Sequence, residues 1–97
     1  MSKFIFSYRA PTSYTPGSAD TIAAWMAWFG ELGANLVDPG DQVFERATTG
    51  ASVADGVLAG YSVVTADDLD SALVLANGCP GLQEGFSVEV GTLAQLR

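Results

Sequence analysis

Asp38 and Asp41 flank Pro39-Gly40, so a short turn brings two carboxylates close together. Two acids at close range raise the pKa of one of them, which suits a general base or a ligand-orienting carboxylate at the mouth of a cleft. Plain turn chemistry explains the same residues, because aspartate beside Pro-Gly bonds its own backbone. Asp55, followed by Gly56, divides likewise between a hairpin turn and a site carboxylate. The stretch "DPGDQVFE" lacks the alternating ligands of a calcium loop.

Five further residues are ligand-binding candidates. Tyr8 and Tyr61 fall in strand-like runs, where a buried hydroxyl needs a partner, either a ligand or a protein carbonyl. Arg9 and Arg46 are scarce cations that would hold an anion or form surface ion pairs. Trp28 would stack on a planar ligand, sit at a dimer rim or pack in the core. Cys79, the single cysteine, follows a helix C-terminus whose dipole disfavours a thiolate, and the chain has no histidine to activate it. It reads as a small buried apolar residue.

The missing histidine also removes Ser-His-Asp and Cys-His catalysis and the usual zinc clusters. No P-loop or dinucleotide fingerprint is present, so neither a metal nor a cofactor is expected. Net charge is −7, and the four basic residues, Lys3, Arg9, Arg46 and Arg97, are dispersed. Nucleic acid needs a clustered basic footprint, and an anionic membrane surface would repel this chain. Its apolar stretches are too short to span a bilayer. One cysteine suits a reducing cytosol, and Met1-Ser2-Lys3 runs into a strand without a signal-peptide core, so a cytoplasmic protein is expected.

The elements that must position these groups follow from hydrophobic period. Phe4 to Tyr8 alternates with apolar groups on both faces, predicting a central strand. Ala10 to Gly17 is a loop. Ser18 or Asp20 caps a helix whose buried stripe is Ile22, Trp25, Met26, Phe29 and Leu32, with Gly30 as a weak point and Gly33 as a left-handed stop. Asn35 to Val37 begins a second strand that resumes over Gln42 to Thr48. After a turn at Thr49-Gly50, Ser52-Val53-Ala54 returns. Tyr61 to Thr65 is the clearest strand. Thr65 and Asp68 have capping-box spacing for a helix that buries Leu69, Ala72, Leu73 and Ala76, ends at Gly78 and is stopped by Pro80. Phe86 to Val90 is the last strand.

This order permits one α+β domain over residues 1–97, a ferredoxin-like βαββαβ antiparallel sheet with two helices on one face. Its other face needs a cover. A hydrophobic share of 48% against 15% charged residues leaves apolar groups to spare, so a homodimer through the sheets is expected.

Asp55-Gly56, Gly60-Tyr61, "ADDLDSALVLANGCP" and "SVEV", with a tryptophan-bearing helix ending at Gly33 and the "DPG" turn, resemble the YCII-like, or DGPF-domain, family of small bacterial proteins over nearly the whole chain. The resemblance implies a dimeric α+β barrel with a cleft between sheet and helices. It also implies enzymatic relatives, a few acting on chlorinated aromatic breakdown products and others encoded beside sigma factors. This chain departs from the family in two places. It lacks the histidine of the family's proposed catalytic dyad, carrying Ala23-Ala24-Trp25 in the matching helix, and only Val57-Leu58-Ala59 separates Asp55-Gly56 from Gly60-Tyr61. The leading expectation is therefore a homodimer that binds a small molecule in the cleft. The alternatives are a lyase- or isomerase-like enzyme with Asp38, Asp41 or Asp55 as base, and an interaction protein associated with a sigma factor.

Overall fold

A computed structural model describes residues 1–14, 19–51 and 55–94. The expected cap at Ser18, the Asp20 side chain and the Ser52-Val53-Ala54 strand lie outside the described residues. The elements run β1 (Ser2–Ala10), α1 (Ala19–Leu32), β2 (Leu36–Asp38), β3 (Val57–Ala66), α2 (Leu69–Ala76) and β4 (Ser87–Leu93). They form a four-stranded antiparallel sheet in the order β2-β3-β1-β4 with two helices, the ferredoxin-like α+β arrangement.

β1 is central, as its two-sided apolar pattern predicts. Phe4, Phe6, Tyr8 and Ala10 are buried on the helix side, while Ile5, Ser7 and Arg9 lie half-buried on the open side. β3 repeats the alternation, with Gly60, Ser62, Val64 and Ala66 facing the helices. The side-chain period of two in a strand produces both patterns.

The helices differ from the periodic reading in which residues they bury. Trp28 and Leu32 are buried, Trp25 and Phe29 half-buried, but Ile22 and Met26 are 61% and 63% exposed. α1 is apolar on two faces, and only one meets the sheet; the other borders an open cleft. In α2, Ala72 and Ala76 are buried whereas Leu69 and Leu73 are largely exposed. Small alanines let this helix lie close to the sheet and turn the leucines outward.

The cap of α2 also moves. β3 continues through Thr65, which pairs with Lys3, so Thr65 is strand rather than cap. Asp68 is the N-cap, its carboxylate accepting from the Ser71 N–H at 2.8 Å. That bond holds the Asp68 carboxyl below the usual carboxylate range. Pro80 opens a second turn instead of only stopping the first, at the start of a 3-10 helix over Pro80–Glu84. The predicted strand over Gln42 to Thr48 is reduced to a single bridge between Gln42 and Gly60. Arg46 donates to the carbonyls of Val43 and Leu58, and the first is the acceptor that a continued ladder would offer the Ala59 N–H.

Gly30 lies in the exposed interior of α1, and a Cβ there would enter open space. Gly30→Ala should stabilise the protein by roughly 0.5–1 kcal/mol, because it restricts the unfolded chain without a native clash. Chemical denaturation should show a higher midpoint at an unchanged slope.

Candidate functional site

The segment after β2 builds one wall of the cleft. β2 pairs with β3 only at Leu36 and Asp38, and the register slips between them. The chain then turns at Pro39-Gly40 and runs back along β3. The Tyr61 N–H donates to the Asp41 carbonyl at 3.3 Å, and the Val43 N–H donates to the Ala59 carbonyl at 2.9 Å. Two glycines permit this close approach. Gly40 has φ +73°, and a Cβ there would overlap the Tyr61 carbonyl. A Cβ at Gly60 would stand 3.0 Å from the Asp41 carbonyl.

Side-chain bonds fix the same wall from beneath. The Ser62 hydroxyl donates to the Pro39 carbonyl at 2.7 Å. A carbonyl only accepts, so the Tyr8 hydroxyl must be the donor in its 2.8 Å bond to Ser62 Oγ. Burial pushes the Tyr8 phenol far above its ordinary pKa, and it stays protonated. Trp25 packs edge-on against Tyr8, with ring centroids 4.7 Å apart.

Between this wall and α1 lies a cleft of about 680 Å³. Ile22, Trp25, Met26 and Phe29 of α1 face Leu36, Pro39, Gln42 and Phe44 across it. Tyr8 and Phe86 also line it, and Tyr14 packs edge-on against Phe86 at 4.7 Å. Its size and apolar lining are those of small-molecule sites.

The sheet register decides which candidate residues reach this cleft. Gln42 bridges Gly60, whose face is the helix side, so Gln42 belongs to the cleft. Asp41 and Tyr61 are the next pair along and belong to the opposite, open face. There the Tyr61 hydroxyl donates to Asp41 Oδ2 at 3.2 Å. That hydrogen bond, and then the charges of Asp41 and Asp38, raise the Tyr61 pKa. Asp41 and Tyr61 border the cleft at the turn, but their bonded side-chain pair sits on the far side of the sheet. Asp38 opposes Val63 on that far side and accepts from the Gly40 N–H at 2.8 Å, a turn role. Asp55 is exposed in the turn before β3 and does not line the cleft. The structure thus gathers Asp38, Asp41 and Tyr61, and it gathers them away from the apolar cleft.

The remaining candidates are dispersed. Arg9 lies on the open face of β1. Arg46 lines a small adjoining cavity of about 120 Å³. Trp28 is 3% exposed and stacks on Phe6, so it belongs to the core rather than to a ligand surface. Sequence reasoning missed Tyr14, Gln42 and Phe44, which come from irregular segments. It took Ile22, Met26 and Phe29 for core, and the two-sided apolar surface of α1 was the available signal.

The order and packing of these elements define a ferredoxin-like α+β protein with a cleft between α1 and the sheet edge. No family model matches the sequence, and no curated protein matches it. Among solved structures, 5-chloro-2-hydroxyhydroquinone dehydrochlorinase (TftG) from Burkholderia phenoliruptrix AC1100, in complex with 2,5-dihydroxybenzoquinone, is similar with a TM-score of 0.63. Identity is 20% over 95% of this chain and 93% of that one, a likeness of fold. No helix among the described residues is long and apolar enough to cross a membrane.

Cys79 is buried beside the 3-10 helix, and burial pushes its thiol up to about 11. The native protein should resist iodoacetamide at pH 8, where the unfolded chain reacts. An unfolded thiol titrates near 9.0, so above that pH the unfolded state loses its proton first. Wild-type stability should therefore fall between about pH 9 and 11 more steeply than that of Cys79→Ala, as urea melts can show.

Proposed function

We propose that this protein binds a small planar aromatic molecule in the cleft between α1 and the β2–β3 edge, as a cytoplasmic homodimer related to the YCII-like proteins. The observation that carries the reading is the cleft itself, about 680 Å³ and lined by aromatic and aliphatic side chains from both layers. The fold likeness to a protein solved with 2,5-dihydroxybenzoquinone supports a ring-shaped ligand. The dimer rests on the open sheet face, where half-buried Ile5, Tyr61 and Val63 have no covering layer among the described residues.

A lyase-like reading draws on a different observation, the Asp41–Tyr61 pair. A carboxylate base beside a phenol donor is competent for proton transfer. On this geometry such chemistry belongs to the open face, between sheets of two protomers, and not to the cleft. The binding reading is preferred because the cleft has the volume of small-molecule sites and a ring-rich lining.

A thermal-shift panel of phenols, catechols and quinols tests the proposal. Ligand at about a hundredfold over Kd adds ~2.7 kcal/mol, and each kcal/mol moves the midpoint of a domain this size by roughly 4–8 °C. A binder should shift the methyl signals of Ile22 and Met26. Shifts confined to Ile5 and Val63 would contradict the cleft. Turnover of any binder that is lost in Asp41→Asn, with affinity kept, would instead establish the lyase reading.

A further inference from the structure

The charge distribution around the cleft carries an inference about its ligand, and this inference rests on the cleft being a binding site. Seven of its described lining residues are aromatic, and none of the described lining residues is a lysine or arginine. Among the described side chains the one acidic lining residue is Asp41, whose carboxylate is bonded to Tyr61 on the other face of the sheet. The cation beside it, Arg46, is held over the adjoining cavity by the carbonyls of Val43 and Leu58. Gln42 is the polar side chain that the register sends to the cleft face from the sheet edge, and its amide is neutral. The Tyr8 hydroxyl is already committed to Ser62.

An anionic ligand entering such a site gives up water and meets no cation among the described lining residues, which is costly. A neutral ring gives up little water and gains aromatic contact, and one hydroxyl or carbonyl on it can bond the Gln42 amide in either sense. We propose that the cleft selects uncharged aromatic molecules bearing a hydroxyl or carbonyl, and discriminates against aromatic carboxylates. Gln42 is the specificity-determining residue of this selection.

A matched pair tests this: benzamide against benzoate. Each is titrated at about 150 mM salt, where surface charges are screened over roughly 8 Å, with the Ile22 and Met26 methyl signals as readout. Benzamide should bind at least about tenfold tighter than benzoate. Gln42→Lys, which places a cation in the cleft, should reverse the pair and favour benzoate. Asp67→Asn, at an exposed acid outside the cleft, should leave the ratio unchanged. Equal or tighter binding of benzoate to the unaltered protein would overturn the selection while the cleft remained the site. An unchanged order in Gln42→Lys would overturn the role of Gln42. If neither compound moves the two methyl signals, the binding site itself is refuted, and the selection with it.

Discussion

The hydroxyl of Tyr8 donates to Ser62, and the hydroxyl of Ser62 donates to the carbonyl of Pro39, inside a layer that is otherwise apolar. Ser62 is fully buried and Tyr8 nearly so. Leaving either group unpartnered there would cost on the order of 1–3 kcal/mol. The bonds are satisfied only if the turn at Pro39 is drawn onto β3 directly above the central strand. That requirement places Gly40 against the Tyr61 carbonyl and Gly60 against the Asp41 carbonyl, where no side chain fits. The cleft wall therefore stands where two hydroxyls need it, and the ring of Trp25 closes over the same tyrosine from the helix layer.

Once the turn is fixed, strand alternation sorts the remaining chemistry onto two faces. Gln42 follows Gly60 to the cleft side, and Asp41 follows Tyr61 to the open side. One edge of the sheet thereby presents a ring-lined hollow on one face and an acid–phenol pair on the other. The hollow has the volume and lining of small-molecule sites and is built within one protomer. The paired acid and phenol stand on the open face of the sheet.

Much of the fold is legible in the sequence, because strands with a period of two and a single buried face leave little choice. Phe4, Phe6 and Tyr8 mark the central strand, and the order of elements follows from the turns. The site is less legible for physical reasons. α1 is apolar over more than one face, so periodicity finds a stripe without saying which part meets the sheet and which meets the cleft; Trp28 and Met26 exchange roles accordingly. The spacing of Asp38 and Asp41 announces a turn, but which face of the sheet each carboxylate reaches depends on the slip between Leu36 and Asp38. A slip of one residue leaves no local sequence signal. Ser62 was open to detection, as a hydroxyl in register with Gly60, Val64 and Ala66, all buried positions of β3.

Amide hydrogen exchange in Ser62→Ala tests the central claim, that the hydroxyl relay from Tyr8 to Pro39 holds the cleft wall in place. The Tyr61 and Val43 amides bond across to Asp41 and Ala59, so they report on the wall directly. The Ile5 and Gly91 amides, paired between β1 and β4, report on the sheet beyond it. The account predicts faster exchange at Tyr61 and Val43 with Ile5 and Gly91 unchanged. Exchange that stays slow at Tyr61 and Val43, or rises equally at all four, would contradict it.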